Sequence, residues 1–225
     1  AAVARLAGSP PLLYAGDAST WGSPTSPPAR LVPADLLIVE DTFGHLDSAF
    51  LDPRDAADRV VELCRRARSG GRTPVLVTMS NCGKAQEAAA ALCSAGLRPA
   101  LQTKLWRFAE VYRAFGHLSG AYAKLAHGRR NDCDVAIVSN AYLEFQSGDL
   151  SAMVPDPMYV LLSGWAASET DGRFDDVLAW SDHAARDDLL RIVEAVDPGE
   201  VWTFSGSGLL ADEIRGKGIR CRHLA

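Results

Sequence analysis

Short apolar runs that end in polar or glycine-bearing segments recur along this chain, and helical patterns follow several of them. Leu36-Leu37-Ile38-Val39 runs into Glu40-Asp41-Thr42-Phe43-Gly44. Pro74 to Met79 runs into Ser80-Asn81-Cys82-Gly83, and an alanine-rich helical stretch follows, ending near Gly96. Further runs cover Leu12 to Tyr14, Asp134 to Ser139, Met158 to Leu162 and Val201 to Phe204. Continuous apolar runs of this length suit strands buried on both faces. Strands alternating with helices give α/β architecture.

The most informative stretch is Val177 to Ala185. Val177-Leu178-Ala179-Trp180 reads as a strand, Ser181-Asp182-His183 as its end, and Leu189, Leu190, Ile192, Val193 and Val196 as the apolar face of a following helix. Ligands and catalytic groups of α/β sheets gather at the carboxyl ends of the strands. A histidine there can bind a metal or move a proton near neutral pH; it can equally cap the helix or pack beside it. Asp17 and Glu40 also stand at strand ends, where acidic residues serve as ordinary turn and cap residues too.

Elsewhere the local signals are plain. Asp52-Pro53 opens a helix, with Asp52 as cap and Pro53 at the first helical position. Ala56, Val60, Leu63, Cys64 and Ala67 face inward, and Gly70-Gly71 ends it. Gly83-Lys84 is not a P-loop, lacking the first glycine and the Ser/Thr after lysine. Asp197-Pro198-Gly199 is a turn, Leu209 to Arg215 a last helix, and a closing strand lies near Ile219.

The 225 residues allow one large or two small domains, and 48% apolar content is enough for a sizeable core. A net charge of -5 gives no overall basic field for nucleic acid. Residues 98–130 differ: Arg98, Lys104, Arg107, Arg113, Lys124, Arg129 and Arg130 stand against a single acid, Glu110, with Trp106, Phe108, Tyr112, Phe115 and Tyr122 interleaved. Such a mixture suits a nucleic-acid backbone with stacked bases; it also suits an amphipathic helical pair with buried aromatics and solvated arginines. No apolar run has the length of a membrane span, and no signal-peptide pattern stands at the start. Five cysteines without C-x-x-C spacing read as reduced thiols, which fits a cytoplasmic protein.

Taken in order, the strand ends resemble the β-CASP branch of the metallo-β-lactamase-fold nucleases of RNA processing and DNA repair. Leu13-Tyr14-Ala15-Gly16-Asp17 is similar to the family's YTGD motif, and Ile38 to Gly44 to its acidic motif A. Gly70-Gly71-Arg72 and Gly83-Lys84-Ala85-Gln86-Glu87 resemble the start of the cap domain, and Ser163-Gly164-Trp165 its close. Ser181-Asp182-His183-Ala184 resembles motif B, and Pro198 to Gly206 the segment bearing motif C. The GKAQ, SGW and SDHA forms are closest to the family's DNA-ligase-associated exonucleases.

This resemblance implies a truncated or degenerate member: the C-terminal part of a metallo-β-lactamase core, residues 1–42 and 176–225, with a β-CASP cap over residues 43–175. It implies zinc, with Asp17 as a metal ligand, Glu40 orienting His183, and His183 near the leaving group. Two departures weigh against activity. The H-x-H-x-D-H motif that supplies most ligands does not occur, and motif C carries Ser205 where histidine is usual; a hydroxyl replaces imidazole poorly at zinc. Asp17 and His183 alone cannot hold a zinc pair. The sequence therefore leads to a nuclease-like protein of RNA or DNA processing without independent catalysis, a pseudoenzyme with its zinc absent or incomplete. Alternatives are an active zinc-dependent nuclease completed by further sequence or another chain, and a structural subunit. Expected partners are RNA or single-stranded DNA, and a second chain or second copy to cover an exposed sheet face.

Overall fold

The computed structural model of the chain describes residues 2–4, 11–45, 50–127, 130–167 and 172–224. They form an α/β structure that divides into two units, the first made of Ala1–Gly22, Pro28–Phe50 and Asp182–Ala225, the second of Ser23–Pro27 and Leu51–Ser181.

The first unit is built on a five-stranded sheet. β1 (Ala2–Ala4) runs antiparallel to β2 (Leu12–Gly16); β2, β3 (Leu36–Glu40), β10 (Glu200–Phe204) and β11 (Arg220–Leu224) follow in spatial order, all parallel. Period-two alternation gives this sheet two unlike faces. Leu13, Leu37, Val39 and Val201 are buried among residues of α5 (Arg186–Val196) and α6 (Leu209–Gly216). α5 turns Leu189, Ile192, Val193 and Val196 inward at helical spacing, and α6 turns Leu210, Ala211 and Ile214 inward. The other face carries Tyr14, exposed, with Ile38, Trp202 and Phe204 half-buried; the Tyr14 and Phe204 rings stack at 6.0 Å.

The second unit holds a six-stranded parallel sheet ordered β6 (Ala123–Lys124), β5 (Pro99–Leu101), β7 (Val135–Ser139), β4 (Thr73–Thr78), β8 (Pro157–Leu162), β9 (Asp176–Leu178). Its central strands β4 and β7 are apolar on both faces because helices cover both. α1 (Pro53–Ser69), α2 (Lys84–Ser94) and α3 (Thr103–Ala114) supply one core, and α4 (Asn140–Met153) contributes Tyr142, Leu150 and Met153 to the other. α1 starts as its sequence dictates: the Asp52 carboxylate accepts from the Arg54 N–H, and Pro53 occupies the first turn.

β9 pairs with β8, and Trp180 is fully buried in the α1–α2–α3 core. The apolar run before His183 thus belongs to the six-stranded sheet. The first unit resumes at Asp182. The reason is local: Val177 and Leu178 prolong the buried parallel pairing with Leu161 and Leu162, and Trp180 finds an apolar socket there.

Candidate metal and DNA site

Asp17, Glu40 and His183 come together in the first unit. A register shift between Tyr14 and Gly16 lets β2 gain one residue on β3, so that Gly16 pairs with Val39. Such a bulge switches which face the following side chain takes, and it brings Asp17 level with Glu40. Gly16 itself stands at φ +57°, a conformation that favours glycine. Glu40 ends β3, and its Oε2 accepts from the Thr42 N–H at 2.8 Å. A backbone bridge between Phe43 and Ala185 draws the segment before α5 alongside, with the Phe43 ring edge-on to His183 at 5.7 Å.

His183 Nδ1 lies 3.3 Å from Glu40 Oε1 and 3.7 Å from Asp17 Oδ1. Glu40 is buried, at 1% exposure, while the Asp17 side chain is 68% exposed, so the group opens to solvent on the Asp17 side. Burial pushes the Glu40 carboxyl up, but hydrogen bonds with His183 and Thr42 outweigh it and hold the group below its ordinary range. The bond to Glu40 raises His183 above the usual imidazole range, against the opposing effect of burial. Glu40 and His183 therefore favour each other's charged forms.

One donor atom from each of Asp17, Glu40 and His183 lies within 4.8 Å of the others. Two carboxylates and an imidazole fit a single divalent cation such as zinc. Among the described residues no other group of three such side chains is this close.

Beside this group stands a third carboxylate, Asp41, which sequence reading does not single out. Asp41 is fully buried; its Oδ2 accepts from the Gly208 N–H at 3.2 Å and lies 3.9 Å from His223 Nδ1, which shares a 2.9 Å hydrogen bond with Thr203 Oγ1. Burial pushes the Asp41 carboxyl up to about 6, against the Gly208 N–H and His223. Its only sequence signal is adjacency to Glu40: consecutive residues of a strand point to opposite faces. Ser205 is exposed at φ +61°, in the turn after β10, and is not one of the three clustered residues.

The basic window lies in the second unit and divides by burial. Trp106, Tyr112 and Tyr122 pack against the core, as an amphipathic arrangement requires, whereas Phe108 and Phe115 are exposed. Lys104, Arg107, Lys124 and Arg130 are exposed. Arg113 lies over the Tyr122 ring at 4.0 Å and donates to the Gly120 carbonyl. Arg98 pairs with Asp132 and Asp134. Arg129 lies outside the described residues.

The fold thus defines an α/β protein with a carboxylate–imidazole group at the strand ends of one sheet. No protein-family model matches the chain. It is 28% identical over 216 residues to a probable DNA ligase of Opitutus terrae, a match covering 92% of this chain and 20% of that protein. The chain accordingly spans about one fifth of the length of this curated relative. That match corrects the functional expectation: a nuclease-like, RNA-processing or hydrolase role gives way, because the relative found is named for joining DNA. The motifs behind the expectation are short and sit at strand ends, where turn and capping geometry selects the same residues. No helix of the described residues is long and apolar enough to cross a membrane.

Proposed function

We propose that this chain is a DNA-engaging module that serves DNA joining, and that Asp17, Glu40 and His183 hold one divalent cation, zinc by preference, where a DNA phosphate docks. The observation that carries the reading is the match to a probable DNA ligase over nearly the whole chain. The finer scaffold reading, part of a metallo-β-lactamase core with a β-CASP insertion, is kept as part of the proposal. It is supported by the five-stranded sheet that carries the acidic strand ends and by the separate parallel sheet inserted between Phe50 and Asp182.

A bound cation would neutralise phosphate charge and orient its oxygens. The chain's own residues divide the remaining work. Buried Glu40 fixes the His183 ring, and Thr42 fixes Glu40 through its amide. Asp17, largely exposed, is the carboxylate that an arriving ligand meets first. In the second unit, exposed Lys104, Arg107, Lys124 and Arg130 supply positive charge to a phosphate backbone, and Phe108 and Phe115 offer ring faces to unpaired bases.

The test is fluorescence-anisotropy binding to a 5′-phosphorylated nicked duplex, an intact duplex and an RNA hairpin, with and without zinc. Tighter binding of the nicked duplex supports the proposal. Equal affinity for all three, or preference for RNA, contradicts it.

A further inference from the structure

The two turns that follow β3 and β10 meet at one residue. Asp41 extends the β3–β10 ladder past the Glu40–Phe204 pair by donating its N–H to the Phe204 carbonyl at 2.8 Å. Its Oδ2 accepts from Gly208 in the second turn, and its carbonyl accepts from Gly44 in the first at 3.4 Å. Both turns press closely on it, and at Gly44 and Gly206 they leave no room for a side chain. A Cβ on Gly206 would lie 1.8 Å from the Asp41 carbonyl oxygen, and a Cβ on Gly44 would lie 1.9 Å from Asp41 Oδ1. Ser205, Gly206 and Gly208 all take positive φ, so the second turn folds back over Asp41 and is pinned there. Between Asp41 and Gly44 lie Thr42, whose amide holds Glu40, and Phe43, whose ring meets His183 and whose backbone bridges Ala185.

We propose that Asp41 is a positioning residue for the Asp17–Glu40–His183 group: by clamping the Ser205–Gly208 turn to the end of β3, it sets the Thr42 amide and the Phe43 ring that hold Glu40 and His183 in place. The inference rests on the proposed cation site, yet it makes its own claim about the Thr42 amide. Supporting residues of this kind change cation affinity without touching the cation.

The test compares the wild-type chain with Asp41→Ala, Asp41→Ser and Asp41→Asn, by zinc calorimetry and by hydrogen exchange at single amides. Asp41→Ala is expected to weaken zinc binding about tenfold, at the low end of such supporting effects. It should also speed exchange at Thr42 and Gly208 while Leu37 and Val201, in the sheet core, keep wild-type protection. Asp41→Asn retains an oxygen acceptor for the Gly208 N–H and should restore affinity to within about threefold. If Asp41→Ala also loses protection at Leu37 and Val201, Asp41→Ser decides by the same two readings. Unchanged Thr42 exchange and unchanged zinc affinity in the folded variant overturn the proposal. A wild-type chain that binds no zinc defeats the cation site instead, and the Thr42 amide alone then decides the role of Asp41.

Discussion

Glu40 and His183 set each other's charge, so their contribution to stability has a pH window. His183 is raised above its ordinary 6.5, so its share is complete below that value and is lost as pH rises through the folded value. Glu40 is held below its ordinary 4.5, so its share is complete above that value and is lost as pH falls through the folded value. The pair therefore contributes most between pH 4.5 and pH 6.5. Replacing Glu40 by Gln should cost roughly 1–2 kcal/mol inside that window and less on either side, His183 being partly solvated. Urea denaturation of the two proteins across pH checks it; a difference that keeps growing above neutral pH would reject the assigned charge states. Each of the three site residues is visible in the sequence as a polar residue after an apolar run. Their meeting is not, because it depends on a one-residue bulge in β2 and on a backbone bridge from Phe43 to Ala185. Asp41 is harder still to find, since nothing local separates a buried clamp from a turn residue.

Elements with strong internal signals are the ones legible beforehand. β3, β4 and β7 are unbroken apolar runs, and α1 has its Asp52 cap, Pro53 and inward stripe. Removing that cap, Asp52→Ala, should lower stability by about 1 kcal/mol, measured as a shift in the thermal or urea midpoint. Truncating Ile192, fully buried between α5 and the first sheet, should cost about 2–5 kcal/mol; a loss under about 1 kcal/mol would mean that this helix does not pack as described. Other elements carry weaker signals. α4 starts with the Ser139 hydroxyl accepting from the Tyr142 N–H, but its sequence carries Ser147, Gly148 and Ser151, residues of weak helix propensity that blur the signal. β1 and β6 are two or three residues long and exist through their pairing. The run before His183 was legible as a strand, but its sheet was not: pairing with Leu161 and Leu162 is a long-range choice that an apolar pattern does not encode.

At the scale of the whole molecule, α/β architecture follows from the sequence, while function does not. Strand-end motifs suggest nuclease chemistry, and the match to a probable DNA ligase overturns that expectation; a part in DNA joining is the proposal that the match supports. Charge adds a testable consequence. The chain is acidic overall at -5, so the proposed engagement of DNA would have to rely on local basic residues. Replacing Lys104 and Arg107 together by Ala should make the slope of log affinity against log salt shallower by about 0.9 for each lost phosphate contact. An unchanged slope would remove α3 from the interface. The most direct measurement is a nick-sealing reaction: a DNA ligase acts on a 5′-phosphorylated nicked duplex with increasing amounts of this chain and zinc, beside the His183→Ala variant. A role in joining is expected to raise the sealing rate with the wild-type chain and markedly less with the variant. Sealing that is indifferent to the chain, or equally stimulated by both proteins, would contradict it.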